Sequence, residues 1–340
     1  MNWPPPAAPP GEHLDVVGVG EAMLLLQAPP PAPLETARTL SVAVAGAELN
    51  VCATVARFGG SAAFLSAVGD DAPGRRVLRA VRDLGVAENL IHVDPGRPTG
   101  LFLRETPQSG ERRVMYYRAG SAASALDADR ADLLAAPHAP RALVVSGLTA
   151  SLGDGPRRLL HRLVRQAGAA GTSVVLDANL RPSLGTEDAV ETMTLLLPHV
   201  DLLVLGDDES GPLLGATDPE AVLAAARDAG VAETVLKGGE RGCWLWDDGL
   251  RHIPAHPTRV VDTVGAGDAF LGAYLTARLS GTSAPAAALL GARIAAGVVA
   301  RAGDTEGLPD RATAQALLRG EDRGGESSSG GLGAGAQGGG

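Results

Sequence analysis

Ala142-Leu143-Val144-Val145-Ser146 and Ser173-Val174-Val175-Leu176-Asp177 decide the fold. Each is a short apolar run without polar alternation, which is how a strand covered on both faces reads. A longer amphipathic stretch separates them. The same rhythm continues through Asp201–Leu205 and Glu233–Leu236, at about the spacing of successive βαβ units, roughly thirty or more residues each. Upstream, Leu14–Val19 and Ala62–Val68 are runs of the same kind. Together they predict a mostly parallel sheet with helices on both faces.

One segment breaks the rhythm. Across Pro98–Ser124, Leu101, Leu103 and Glu105 alternate with Phe102, Arg104 and Thr106. A turn at Ser109–Gly110 then leads into Arg113–Arg118. That is a β-hairpin pattern inside an α/β chain. The sequence leaves three readings open: a lid over the sheet's carboxyl edge, a subunit contact, or a plain edge hairpin.

With 340 residues, the chain has room for one large α/β domain or two small ones. Residues 1–11, rich in Pro and Ala, and residues 320–340, mostly Gly, Ser and charge, carry little that could bury apolar surface and are expected to be disordered. One folded domain is therefore expected over 12–319. The net charge of -10, with no basic run, argues against binding to nucleic acid or an anionic membrane surface. Cys52 and Cys243 belong to no CxxC pair or Cys/His cluster and read as reduced, small hydrophobes. Met1–Gly11 lacks the basic and apolar parts of a secretory signal, and no long uncharged apolar segment exists, so a cytoplasmic protein is expected.

The chemistry concentrates in Val261-Asp262-Thr263-Val264-Gly265-Ala266-Gly267-Asp268-Ala269-Phe270, followed by Leu271-Gly272-Ala273-Tyr274. Small and apolar residues at helical spacing follow the glycines, so Gly265–Asp268 should open a helix. First-turn amides lack partners within a helix and sit at the positive end of its dipole. Glycines leave them accessible, which makes a site for a phosphate in transit. Asp268 beside it could orient an attacking hydroxyl and take its proton. It could equally just support the first turn, and the motif alone leaves both open. A Walker A loop is excluded, because the sole lysine, Lys237, follows Leu236. Gly18-Val19-Gly20 fails as a dinucleotide fingerprint, since Met23 stands where its third glycine belongs.

Asp262–Ala273 resembles the C-terminal signature of the ribokinase-like (PfkB) carbohydrate kinases. Ala45-Gly46-Ala47-Glu48-Leu49-Asn50-Val51, with Ala53, Arg57, Phe58 and Gly59, resembles their N-terminal one. Ala67–Asp71, Asp177–Arg181 and Lys237–Gly242 fall in family order, so the resemblance spans about His13 to Leu308. It implies a ribokinase-like α/β fold: a central mostly parallel sheet flanked by helices, with a small β-strand lid over 98–124. Gly20-Glu21-Ala22-Met23, Arg113–Arg118, Asp177–Arg181 and Gly303–Gly307 are most similar to the 2-keto-3-deoxygluconate kinases.

That resemblance implies ATP and Mg²⁺ as cofactors, Asp268 as catalytic base, and the Gly265, Ala266 and Gly267 amides as stabilisers of the transition state. Asn179, Lys237, Gly239, Gly242, Gly265 and Gly267 would bind the nucleotide. Glu209 matches the element that organises the metal, although Gly206 stands where the family has Asn; a solvated acidic turn is the other reading. The acceptor site would comprise Gly46, Asn50, Phe102, Tyr116, Arg118, Arg181, Asp268 and Asp304. Arg118 would face a carboxylate, whose geometry a guanidinium matches, unless it merely packs the lid. Phe102 departs from the Tyr usual there, and Leu25 from the acidic residue that often grips sugar hydroxyls. The expected partner is a small sugar or sugar acid, with self-association through the lid implied by the family. The expected reaction converts 2-dehydro-3-deoxy-D-gluconate to its 6-phosphate. Fructokinase and a non-catalytic sugar-binding regulator are the alternatives.

Overall fold

The structure is a computed structural model that describes residues 3–5, 14–106, 113–135 and 139–321. In chain order the first strands are β1 (Val16–Val19), β2 (Met23–Gln27), β3 (Ser41–Ala45), β4 (Ala62–Gly69), β5 (Ile91–Asp94), β6 (Leu101–Glu105) and β7 (Arg113–Tyr117). They continue with β8 (Ala142–Ser146), β9 (Ser173–Asp177), β10 (Leu202–Gly206), β11 (Glu233–Lys237), β12 (Cys243–Trp246) and β13 (Leu250–Ile253). The helices are α1 (Ala47–Arg57), α2 (Ala72–Asp83), α3 (Gly147–Ala150), α4 (Asp154–Ala170) and α5 (Glu187–Leu196). After these come α6 (Asp207–Leu214), α7 (Pro219–Asp228), α8 (Ala266–Leu279), α9 (Ala284–Val299) and α10 (Arg311–Leu318).

The main sheet has the order β13-β12-β11-β10-β9-β8-β1-β4-β5. It is parallel from β11 to β5, and β12 and β13 add an antiparallel edge. Every residue of β4, β8 and β9 is buried, because helices cover both faces. Successive side chains of a strand point to opposite faces. Leu143, Val145, Leu176 and Leu203 accordingly join one core, and Val144, Val175, Leu202 and Val204 the other. Each such side chain is worth about 1.5–3 kcal/mol when fully buried, so these central strands carry much of the fold's stability.

Helix positions follow from the same apolar periodicity. On one face α4 buries Leu159, Leu160, Leu163 and Val164, and it ends at Gly171 in the left-handed conformation (φ 71°). On the other face α1 and α8 cross closely: a Cβ on Gly272 would stand 2.5 Å from Thr54 Cβ. That crossing holds the two signature segments side by side.

A second sheet, β3-β2-β6-β7, covers the carboxyl edge of the first. The hairpin expected over Pro98–Ser124 supplies β6 and β7, paired with Phe102 opposite Tyr116 and Arg104 opposite Val114. Its turn at Ser109–Gly110 lies outside the described residues. The expected lid is thus half of the observed one: β2 and β3 complete it, with β2 parallel to β6. Its inner face gathers Met23, Leu25, Ala45 and Phe102.

Within the N-terminal segment expected to be disordered, Trp3 lies against the α8 side of the core, with the Arg278 guanidinium 6.0 Å from its ring centre. Most of both chain ends lies outside the described residues. Cys52 and Cys243 are buried free thiols, and burial pushes both up to about 12, which makes them inert hydrophobes. Among the described residues no helix is long and apolar enough to cross a membrane.

Candidate active site

The carboxyl ends of the parallel strands meet the lid in a cleft of about 590 Å³. This is where open α/β sheets bind ligands. β9 ends there with Asp177, β10 with Gly206 and β11 with Lys237, and all three line the cleft.

Helix α8 points its N-terminus into the same space. Its first residue is Ala266, and Gly265 precedes it with φ 74°. A Cβ on Gly265 would lie 2.2 Å from the Asp304 carbonyl oxygen, so the close approach and the left-handed backbone both demand glycine. The Ala269 N–H donates to the Gly265 carbonyl (2.8 Å) as the first helical bond. The amides of Ala266, Gly267 and Asp268 therefore have no partner within the helix. Gly267 also lets Lys237 come near, since a Cβ there would stand 3.3 Å from Lys237 Nζ.

Asp268 sits half-buried on this first turn, and Asn50 Nδ2 donates to its Oδ2 at 2.8 Å. The same Asn50 nitrogen lies 3.3 Å from Asp304 Oδ2. Burial, reinforced by the Asp177 charge, pushes the Asp268 carboxyl up to about 7. Asn50 and Arg181 oppose that rise. Asp304 is likewise raised, mainly by burial, while Arg104 draws it down. A carboxyl that titrates near neutrality and is held by a hydrogen bond at a helix N-terminus suits general-base work.

At the strand ends, Lys237 Nζ contacts Asp177 Oδ1 at 3.4 Å. Burial alone would lower the ammonium, but Asp177, Glu209 and Asp268 outweigh it and keep Lys237 above its ordinary range, fully charged. Glu209 lines the cleft with both oxygens engaged: Oε1 accepts the Leu180 N–H (2.8 Å) and Oε2 the Gly206 N–H (2.6 Å). Burial and the neighbouring Asp177 raise its carboxyl. Among the described residues no cluster of three or more His, Cys, Asp or Glu could cage an ion. Asp177, Asp208 and Glu209 nevertheless bring carboxylates to one end of the cleft. Oxygen donors without a cage fit Mg²⁺, which usually keeps several waters and leans on substrate phosphates.

Of the residues expected at the acceptor site, Gly46, Asn50, Phe102, Tyr116, Arg181, Asp268 and Asp304 all line this cleft. Phe102 and Tyr116 stack beneath the lid with ring centres 5.7 Å apart. Arg118 differs from these: it is 8% exposed, does not line the cleft, and donates from Nε to Glu21 Oε2 at 2.7 Å, while its Nη1 is buried without a hydrogen-bond partner among the described residues and its guanidinium lies 5.8 Å from the ring centre of the cleft-lining Tyr116. The reason is that Glu21, buried where the chain crosses from β1 into the lid, needs a cation and takes this one; Ser121 satisfies its other oxygen at 2.5 Å.

Asn179, Lys237, Gly265 and Gly267, expected to hold a nucleotide, line the cleft, whereas Gly239 and Gly242 do not. Gly242 (φ 87°) closes the turn from β11 to β12, where its carbonyl accepts the Gly238 N–H at 2.8 Å. Ala266 contributes an amide rather than a lining side chain.

Among the lining residues to which the sequence reading gave no role are Asp177, Asp208 and Arg104. Asp177 was visible as the end of a strand and the first residue of the family-like Asp177–Arg181 stretch, but was given no role of its own. Arg104 left a usable signal, because in a strand it shares a face with Phe102.

Comparison with known proteins agrees with this geometry. Residues 13–311 match the family described as pfkB family carbohydrate kinase. A 2-dehydro-3-deoxygluconokinase of Thermoproteus tenax is 34% identical over 312 residues, covering 90% of this chain and 94% of its own. A 2-dehydro-3-deoxygalactonokinase of Haloferax volcanii is 32% identical over 286 residues, covering 83% and 90%. Among solved structures, a PfkB protein from Polaromonas sp. JS666 superposes with a TM-score of 0.79 at 33% identity, covering 88% of this chain and 98% of that one.

Proposed function

The chain belongs to the pfkB family of carbohydrate kinases, phosphotransferases with an alcohol group as acceptor, and from that premise we propose that it phosphorylates 2-dehydro-3-deoxy-D-gluconate at the C6 hydroxyl, using MgATP. The observation that carries this reading is Asp268: a carboxyl titrating near 7, tethered by Asn50 and set among free helix amides inside a closed-over cleft. The acid-sugar acceptor rests on the similarity to relatives that carry such names, at about a third identity over nearly the whole chain.

The chain's own residues divide the work. Asp268 accepts the proton of the acceptor hydroxyl as its oxygen attacks the γ-phosphorus. The amides of Ala266, Gly267 and Asp268 take the charge that builds on the transferring phosphoryl oxygens. Lys237, held charged by its three carboxylate neighbours, balances the phosphates from the strand side. Mg²⁺, when bound with the nucleotide near Asp177, Asp208 and Glu209, neutralises phosphate charge. Phe102 and Tyr116 close over the sugar and keep water from the attacking position.

Two relatives of similar identity bear names that differ in the configuration of the deoxy acid, so the acceptor must be tested on both epimers. An ADP-release assay with the gluco and galacto acids, fructose and ribose decides. The reading expects an acid sugar to have the highest kcat/KM; fructose in first place would make the protein a fructokinase. No turnover with any sugar, despite sugar binding, would favour a regulatory protein.

A further inference from the structure

We infer that the chain carries a second ligand site, on the far side of the lid from the cleft, which takes a small molecule bearing two phosphate groups. A cavity of about 670 Å³ opens between α2 and the outer face of β2 and β3. Alternation along the strands separates it from the cleft. Met23 and Ala45 line the cleft, Leu24 and Val44 line the second cavity, and no residue lines both. Val77 and Val81 bury the opposite face of α2 in the core, so this cavity reaches from the body of the molecule to the lid.

Charge identifies the ligand. In a chain of net charge -10, α2 brings Arg75, Arg76 and Arg79 to this space, against one acidic lining residue, Asp83. Residues three and four apart are neighbours on a helix, so Arg79 adjoins both other arginines, and like charges at that spacing weaken the helix. An anion set between them turns the repulsion into attraction. Their donors are largely unspent. Among the described residues Arg79 has neither a hydrogen bond nor an ion pair. Arg75 meets Asp70 at 3.3 Å with both side chains 65% exposed, a pairing that water screens to little. Arg76 gives Nη2 to the Val42 carbonyl (2.8 Å), which fixes its guanidinium against β3 and leaves its other nitrogens for a ligand.

Guanidinium forks match pairs of phosphate oxygens. From Arg75 to Arg79 the helix rises about 6 Å, further than one phosphate spans while gripped in that paired fashion. Leu24, Val42, Val44 and Pro73 add an aliphatic floor, which suits the carbon face of a sugar or short chain. The lining holds no aromatic ring on which a nucleobase could stack, so a compact bisphosphate fits better than a nucleotide. Its occupant touches α2 on one side and the backs of β2 and β3 on the other. The inner sides of those strands carry Met23 and Ala45 into the cleft. A ligand that sets the spacing of lid and α2 therefore alters the affinity for the acceptor, and the acceptor alters its affinity by the same factor.

The test is calorimetric titration of fructose 1,6-bisphosphate into the protein saturated with Mg²⁺ and a non-hydrolysable ATP analogue, which fills the phosphate-binding end of the cleft. At about 0.1 M salt wild type should bind with a Kd of about 1 mM or tighter. Arg75→Gln and Arg79→Gln should each raise that Kd by about fivefold or more, exposed charges being partly screened, with kcat and KM unchanged in the absence of bisphosphate. Arg82→Gln is the control. Arg82 lies on the same helix outside the cavity, paired with Glu88 at 2.6 Å, so its loss changes the charge equally and should leave the Kd within about twofold. No binding by wild type, or equal weakening by Arg82→Gln, overturns the inference. So does sulfate binding as tightly as the bisphosphate, which would mean an adventitious ion only.

A second titration reads the coupling. Saturating bisphosphate should shift the Kd of 2-dehydro-3-deoxygluconate by about threefold or more in wild type and not in Arg79→Gln; an unchanged sugar Kd in wild type overturns the link between the two sites. The coupling arm rests on the acid-sugar reading. The first titration contains no acceptor, so a wrong acceptor leaves its result standing and shows instead as a failure of wild type to bind the acid sugar at all.

Discussion

Asp268 carries two consequences that a single substitution separates. Asp268→Asn keeps the size and the Asn50 contact but removes the proposed proton acceptor. Turnover should fall by about 10²- to 10⁴-fold with ATP binding retained. The same change should stabilise the protein. With its folded pKa near 7, above the ordinary 3.8, Asp268 costs stability progressively as pH rises from about 4 to about 7, and by a constant amount above that. The gain in the variant at pH 8, discounted for the cleft's solvent, is about 2 kcal/mol, or several degrees in Tm. It should shrink toward pH 4, and a variant less stable than wild type at pH 8 would contradict the burial argument. The same titration sets the rate: kcat/KM should fall as pH drops through about 7. Because the Asp177 charge pushes Asp268 upward, Asp177→Asn should move that limb to lower pH, as pH–rate profiles of the two proteins would reveal.

At this scale the sequence was legible where chemistry is local. Asp268 and its glycines announce themselves as neighbours in the chain, and Asn50 through a second signature. The ion pair of Arg118 with Glu21 could not be read, because Glu21 is far away in sequence and no motif reveals its burial.

Helices and strands follow a similar division. The six central strands were readable because burial on both faces leaves unbroken apolar runs; β8 and β9 occupy the expected residues, β10 is shifted by one residue at both ends, and β11 runs one residue further. β2 and β3 escaped notice. They are short, lie in a lid with one face on the cleft, and pair across a long connection, so neither period nor turn chemistry marks them. Helix α8 depends on the residue that opens it. Gly265→Ala would force a side chain into the Asp304 carbonyl and strain a left-handed backbone. Displacement of the α8 amides should lower kcat by about tenfold or more and Tm by a few degrees. Native kinetics in Gly265→Ala would mean that the loop does not press on Asp304.

For the molecule as a whole, the decisive arrangement is a cleft shared between sheet and lid. Asn50, Asp268 and Asp304 come from the body, and Phe102, Arg104 and Tyr116 from the lid. A ligand that bridges the two favours the folded state by about 2.7 kcal/mol at a hundredfold excess over its Kd. In thermal scans the acid sugar should therefore raise Tm by several degrees in wild type. The most direct test is product formation: 2-dehydro-3-deoxygluconate and MgATP incubated with wild type and with Asp268→Asn, and followed by phosphorus NMR. Wild type should yield one new phosphate monoester, coupled to the C6 protons, in step with ADP, while the variant yields almost none. Equal product from both proteins, or ADP released without any sugar phosphate, would contradict a carbohydrate kinase with Asp268 as its base.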